Sequence, residues 1–361
     1  MFDVFKDKKV LVTGHTGFKG SWMIAWLTKI GANVTGISLA DTNNLSLYSS
    51  TNLSNNINDI RQDIRDAAAI KKIFESEKPD FVFHLAAQAL VRKSYIDPIT
   101  TWETNLLGTV NILDALRQFN HACTAIMITS DKCYDNVEWV WGYREHDKLG
   151  GPDPYSASKG SAELAINSYI KSYFSDSSNV KICSARAGNV IGGGDWSEDR
   201  IIPDCVKAWS RNEKVTLRNP FSTRPWQHVL EPISGYLKLA EEMYNRDDLH
   251  GNAFNFGPNN NEDQSVLSLV EKMSEYWSSV QWEVLSKKEE FYESGLLKLN
   301  CDKARSKLKW HAILDFDSTI RLTAEWYKSF YEKQNMETIT YNQIQEYINI
   351  ALINKVEWGN A

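Results

Sequence analysis

A glycine-rich turn near the amino terminus narrows the folds open to this chain more than any other feature. Val10–Thr13 reads as a short apolar strand, Gly14-His-Thr-Gly17-Phe-Lys-Gly20 follows it, and the segment from about Gly17 to Ile30 reads as a helix. Glycines at this spacing let the backbone turn tightly and approach a pyrophosphate. The helix amino terminus then offers free N–H groups and the positive end of its dipole. The bare pattern also suits an ordinary strand-to-helix turn; its position between a buried strand and a helix favours the dinucleotide-binding reading.

The rest of the first half repeats the theme. Asn33–Leu39, Asp80–Leu85, Ala125–Thr129 and Val180–Ser184 read as strands, separated by helices through Ala67–Glu75, Thr101–Phe119 and the segment after Tyr155. Such alternation predicts an α/β fold, a Rossmann-type doubly wound parallel sheet covered by helices on both faces. After about Gly188 the texture changes. Gly192-Gly-Gly194 and several prolines punctuate irregular stretches, with helices expected at Ile202–Arg211, Glu231–Tyr244, Val266–Trp277, Asp302–Leu308 and Phe316–Tyr331. The expectation is a dinucleotide-binding domain over residues 1–188 and a smaller α/β substrate-binding lobe over 189–361, with some segments returning to the sheet. The carboxyl-terminal tail reads as a polar-apolar helix of unassigned role.

Composition excludes several classes. A net charge of -6 in 361 residues leaves no electrostatic footprint for nucleic acid or an anionic membrane, so a bound anion must be held by local groups. The five cysteines form neither a C-x-x-C pair nor a zinc spacing, which argues against a metal site and for a reducing compartment. No leader and no apolar run long enough to span a bilayer is visible, and the expected location is the cytoplasm.

The chemistry concentrates in two clusters. Tyr155-Ser-Ala-Ser-Lys159 places a phenol and an ammonium on one helix face. A nearby cation favours the phenolate, so Lys159 is expected to lower the Tyr155 pKa from its unperturbed ~10 and let it take a proton from a hydroxyl. Asp153 is a cap for that helix and Pro154 suits its first position. Ser130-Asp131-Lys132 follows the strand Ala125–Thr129, and ligands in open parallel sheets bind at the carboxyl ends of strands. An acid and an amine side by side in that loop suit proton transfer.

Around these lie the binding candidates. Ser38 sits where a ribose-binding carboxylate is expected, with Asp41 farther along. No Lys or Arg occurs between Leu39 and Ile60 to pair with a 2′-phosphate, which favours NAD over NADP. Asp63 either meets the adenine edge with Ile64 or caps the next helix. Asn189, Arg200, Arg218 and Arg224 are candidates to grip an anionic substrate, since the planar guanidinium suits diphosphates. His228 is open between site and core, and His84, inside an apolar strand, reads as a core histidine.

Gly14-x-x-Gly17-x-x-Gly20, His84-Leu-Ala-Ala-Gln88, Thr129-Ser-Asp-Lys132 and Tyr155-x-x-x-Lys159 together resemble the extended short-chain dehydrogenase/reductase family of sugar-nucleotide enzymes. Trp139–Glu145, Arg186–Trp196 and Arg224–Pro232 look like the branch that dehydrates CDP-glucose. The resemblance spans roughly residues 8 to 330 and implies a lyase with bound NAD that makes CDP-4-keto-6-deoxyglucose, a step of deoxysugar biosynthesis. It implies that Tyr155 removes the O4 proton, Ser130 bonds that oxygen, Lys132 is the base at C5 and Asp131 the acid at the C6 hydroxyl. Lys159 touches the nicotinamide ribose. It also implies cofactor contacts at Phe18, Lys19, Asp63, Ile64, Leu85, Ala86, Gln88 and Asn105, substrate contacts at Asn189, Arg200, Arg218 and Arg224, and a homodimer or homotetramer. Relatives acting on dTDP-glucose carry Asp-Glu where this chain has Asp131-Lys132. A lysine base must be neutral, so its pKa must fall below the unperturbed ~10.4. The alternative on the same scaffold is a nucleotide-sugar 4-epimerase, which has no use for an acid/base pair after the strand.

Overall fold

The structure is a computed structural model, and it describes residues 1–41, 43–174, 179–259, 263–277, 280–284 and 295–359. A seven-stranded parallel sheet organises it. Its strands are β1 (Lys9–Thr13), β2 (Asn33–Ser38), β3 (Asn58–Arg61), β4 (Phe81–His84), β5 (Cys123–Ile128) and β6 (Val180–Ala187), joined by a late strand at Ala253–Phe256. The short strands β7 (Val190–Ile191), β8 (Val215–Leu217), β9 (Thr223–Pro225) and β10 (Gln227–His228) intervene, so the late strand is β11. The order across the sheet is β11-β6-β5-β4-β1-β2-β3, the doubly wound arrangement in which the winding reverses between β1 and β4.

Strand periodicity explains why both faces are covered. In β1, Val10 and Val12 join one core while Leu11 joins the other; in β4, Phe81 and Phe83 oppose Val82; in β5, Ile126 and Ile128 oppose Ala125 and Met127. The helices of the first half are α1 (Phe18–Ile30), α2 (Leu47–Ser50), α3 (Ala67–Glu77), α4 (Val91–Ile96), α5 (Pro98–Trp102), α6 (Gly108–Arg117) and α7 (Pro154–Tyr173). Those of the second half are α8 (Ile201–Trp209), α9 (Leu230–Asn245), α10 (Val266–Ser274), α11 (Asp302–Leu308), α12 (Phe316–Tyr331) and α13 (Met336–Ile353). The apolar faces of α3, α6 and α7 line one core, and those of α1, α9, α12 and α13 the other.

Two features go beyond the sequence reading. The long helix expected over Thr101–Phe119 is interrupted: α5 and α6 are joined by a π-helical turn at Glu103–Leu107. Such turns cluster at functional sites, and this one holds Asn105 inward, where its amide accepts from Gln88 N (2.8 Å) and donates to Gln88 O (3.0 Å) and Ser158 Oγ (2.9 Å). The tail becomes α13, whose Tyr347 hydroxyl donates to the buried Glu231 of α9 (2.7 Å). Trp358 beyond it is buried against Phe2.

Candidate active site

The phosphate loop has the geometry its glycines suggest. Gly14 sits at φ +74° and packs on the backbone of Ala86 so closely that a Cβ would lie 2.8 Å from the Ala86 Cα. Gly17 is the N-cap of α1 and no side chain caps it, which leaves the first turn open to a ligand. Phe18 leans on Gly192 across the crevice. Lys19 is half-buried. Burial, then Arg200, then Lys159 lower its pKa to about 8, while Asp131 opposes them. Three cations therefore gather round the mouth of a helix amino terminus, a fitting environment for a dinucleotide's phosphates.

At the end of β2, Ser38 Oγ pairs with Thr16 Oγ1 (2.7 Å). Asp41 is turned away from that edge, accepting from Asn43 N, Ser46 and Ser49. Asp63 is not a helix cap: Asp66 caps α3 by accepting from Ala69 N (3.0 Å), and Asp63 is clamped by Arg65, which holds its carboxyl below the ordinary value. Ile64 packs under Gly108. Ala86 N donates to Thr13 Oγ1 (3.2 Å), and Leu85 packs on the core beside it. The Gln88 amide is engaged with Leu90 and Thr101. Arg61 directly follows Ile60, just beyond the stretch of sequence that lacks Lys and Arg. Sheet register sets it opposite Ser38, where its guanidinium is tied to Asp59 (2.6 Å) and the Leu39 carbonyl (3.1 Å).

The two candidate clusters converge. Ser130, Asp131, Tyr155 and Lys159 are each no more than 7% exposed, and Lys132 is half-buried. Ser130 Oγ donates to Asp131 Oδ1 (2.9 Å) and accepts from Lys132 N (3.2 Å). Asn189 reaches Asp131 Oδ2 from the β6 side (3.4 Å). Gly188 lets the carboxylate in, since a Cβ there would fall on it. A small pocket lined by Asp131, Gly188, Pro225, Gln227, Lys298 and Leu299 opens beside this acid. The Tyr155 helix starts as expected: Asp153 accepts from Ser156 N (2.9 Å), and Pro154 occupies the first position.

One expectation fails. Lys159 was to lower the Tyr155 pKa, yet burial pushes the phenol up to about 12, and it is the Ser130 hydroxyl and Arg200 that oppose the rise. Lys159 is itself lowered to about 8 by burial, with Cys133 and Glu163 opposing. The reason is common to both: each charged form loses its water, and helix spacing alone says nothing about that cost.

Of the substrate candidates, Arg200 donates to Asp195 (2.8 Å) and its charge is felt at Tyr155. Arg218 is bound to Asp199 (3.0 Å) and Arg224 to the Thr223 and Gly295 carbonyls. His228 does not reach the crevice. Pairing of β10 with β7 carries it into the core, where it is fully buried with its ring edge-on to Trp22. His84 is the core histidine expected, bonded to Thr13 (2.7 Å) and Thr109 (3.1 Å). Among the described residues no cluster of His, Cys, Asp or Glu has the makings of a metal site.

Known proteins resemble this chain in sequence and fold. The family model described as GDP-mannose 4,6 dehydratase matches residues 11–323. A CDP-glucose 4,6-dehydratase of Salmonella typhimurium is 42% identical over 349 residues, which is 96% of this chain and 97% of that protein. Among solved structures, dTDP-glucose 4,6-dehydratase from Bacillus anthracis in complex with NAD superposes with a TM-score of 0.74 at 19% identity, covering 91% of this chain and 99% of that one. The Thermus thermophilus UDP-glucose 4-epimerase complex with NAD gives 0.72 at 24% identity, with 89% and 99% covered. These two structures share the fold. With the family model spanning most of the sequence and a relative matched nearly end to end, the chain belongs to the GDP-mannose 4,6 dehydratase family.

Proposed function

We propose that this protein is a hydro-lyase, an NAD-dependent nucleotide-sugar 4,6-dehydratase that converts CDP-glucose to CDP-4-keto-6-deoxyglucose and water. The observation that carries this reading is the buried Ser130-Asp131-Lys132 turn beside Tyr155: an epimerase of the same fold needs the tyrosine but not a neighbouring acid and amine. The choice of CDP-glucose is supported by the relative that is 42% identical.

NAD held in this crevice would supply the hydride acceptor for C4 and the hydride donor for C6. The crevice fits that cofactor through the uncapped α1 terminus, the close approach of Gly14 to Ala86, and Ser38 with Thr16 at the ribose edge. Arg61, beside Ser38, is held by Asp59 and the Leu39 carbonyl, which compete with a 2′-phosphate for its guanidinium. The chain's own residues then move protons. Tyr155 takes the proton from O4, and Ser130 holds that oxygen. Once C4 is a ketone, the C5 proton is acidic; Lys132 removes it, Asp131 protonates the departing C6 oxygen, which leaves as water, and Lys132 returns a proton to C5 as C6 gains its hydrogen. Asn189, Arg200, Arg218 and Arg224 hold the nucleotide diphosphate.

We read the protein as a homo-oligomer. Ile96, Ile99, Leu107, Leu164 and Tyr173 are each more than half exposed on and around α4–α7, an apolar face suited to a second copy. A reducing cytoplasm suits its five free, buried thiols.

The test is incubation with CDP-, dTDP-, UDP- and GDP-glucose, following the alkaline ketone chromophore. CDP-glucose is expected to be the preferred substrate; turnover of none of the four would remove the reading. With CDP-glucose, Tyr155→Phe is expected to lose at least about a hundredfold in turnover with no reduced nicotinamide formed. Lys132→Ala is expected to permit oxidation but stop exchange of the C5 hydrogen with solvent.

A further inference from the structure

A buried ion pair lies directly behind the catalytic groups and has no part in the proton transfers above. Glu163 stands one turn beyond Lys159 on α7, and Arg186 lies on β6 two residues before Gly188. Both are buried, 4% and 3% exposed. Glu163 Oε2 accepts from Arg186 (2.7 Å) and from Ser184 Oγ (2.9 Å), and Oε1 accepts from Thr129 Oγ1. The other arm of Arg186 donates to the Tyr134 hydroxyl (2.7 Å) and to the Glu145 carbonyl (3.0 Å). Tyr134 in turn donates to Asn255 of β11 (2.8 Å).

The points of attachment matter. Thr129 immediately precedes Ser130, and Tyr134 follows Lys132 with only Cys133 between. The pair therefore grips the turn at both ends, Glu163 at Thr129 from the helix that carries Tyr155 and Lys159, and Arg186 at Tyr134 from β6. A core that needed only to be filled would use apolar groups, because burying two charges costs as much as their attraction returns.

We propose that Glu163 and Arg186 are positioning residues of the dehydratase site, fixing the Ser130–Lys132 turn against α7 and keeping Lys159 cationic. This rests on the dehydratase reading above.

The groups around Lys159 support the second half of that role. Glu163 faces it from its own helix, Cys133 from the catalytic turn, His84 from β4 and Lys19 from α1. Burial holds His84 neutral, at about 3, and raises the Cys133 thiol well above its ordinary value, so neither carries a charge at neutral pH. Lys19 repels. Glu163 stays ionised, since against burial its pKa is held down by Arg186, Thr129 and Ser184. It is the carboxylate that opposes the burial of the Lys159 charge.

The experiment compares NAD-loaded wild type, Glu163→Gln and Thr129→Val in two measurements. One is a carbon-13 NMR titration of the Lys159 side chain, assigned by its loss in Lys159→Met, which needs no turnover. The other is the pH profile of kcat on CDP-glucose. In Glu163→Gln the Lys159 midpoint and the alkaline limb of kcat are expected to move together to lower pH by about one unit. Thr129→Val keeps the charge, so its midpoint should stay while kcat falls about tenfold across the profile. A Glu163→Gln midpoint equal to wild type would overturn the electrostatic role. Unchanged kcat in Thr129→Val would overturn the positioning role. If Glu163→Gln does not fold, Glu163→Gln/Arg186→Met leaves no unpaired buried charge; it must then lose at least about tenfold in kcat, and wild-type turnover would sink the proposal. A wild type inert on all four sugar nucleotides would instead strike the dehydratase reading, while the NMR titration would still decide whether Glu163 holds the Lys159 proton.

Discussion

Gly188 shows how one missing atom shapes the site. It ends the run after β6, and its bare Cα lets Asp131 fold back against the chain while Asn189 meets the carboxylate from beyond. A methyl group there would occupy the space of the Asp131 oxygens. Gly188→Ala is expected to displace the acid and so to slow elimination about tenfold or more, while oxidation at C4, with Tyr155 as base, continues. Rapid-quench analysis with nicotinamide absorbance checks it: reduced cofactor should accumulate during turnover, and a wild-type time course would refute the account. The candidate residues were legible because Tyr155 and Lys159 are four apart on one helix and Ser130, Asp131 and Lys132 are consecutive. The contribution of Gly188 was not, since it lies 57 positions from Asp131 in the numbering and no periodicity connects them.

Among the elements, α7 is the one whose start decides catalysis. Asp153 accepts from the Ser156 N–H (2.9 Å) and from its hydroxyl (2.5 Å), and Pro154 supplies a preset φ. Asp153→Ala is expected to cost about 1 kcal/mol of stability. It should also loosen Tyr155, which directly follows the first helical residue. Urea unfolding with a parallel kcat measurement tests both; an unchanged midpoint would show that the cap contributes nothing. Helix limits elsewhere were readable to within a few residues, and α11 and α12 begin and end where apolar spacing put them. The π-turn at Glu103–Leu107 was invisible because its apolar residues still read as one helix. What breaks the register is the demand of Asn105 for partners on Gln88 and Ser158, which come from other parts of the chain.

For the molecule as a whole, the second half of the chain returns to buttress the first. Glu231 of α9 is almost wholly buried. It accepts from the N–H groups of Ile313 (2.9 Å) and Leu314 (2.7 Å) and from the Tyr347 hydroxyl (2.7 Å), so one carboxylate joins α9, the segment leading into α12, and α13. Tyr347 itself packs edge-on to Trp26 of α1. Tyr347→Phe keeps the ring and removes one donor from a buried charge, at an expected cost of about 1–3 kcal/mol. Chemical denaturation measures it. Retained kcat would locate the effect in the scaffold, and unchanged stability would show that the seam is not held by this bond.

Local features of this protein were written in residue order: the strand-turn-helix of Gly14 to Ile30, the alternation of βα units, the cap on α7, and the shared face of Tyr155 and Lys159. Each depends on covalent spacing and on the periods of helix and strand, which any stretch of chain carries with it. Tertiary packing decided the rest: that Asp131 fits against the glycine just beyond β6, that His228 turns into the core, that Arg61 lies beside Ser38, and that Glu163 and Arg186 clasp the Ser130–Lys132 turn. It also reversed the expected direction of the Tyr155 pKa. A charge's cost depends on how much water surrounds it, and that water is removed by residues that only the fold brings near.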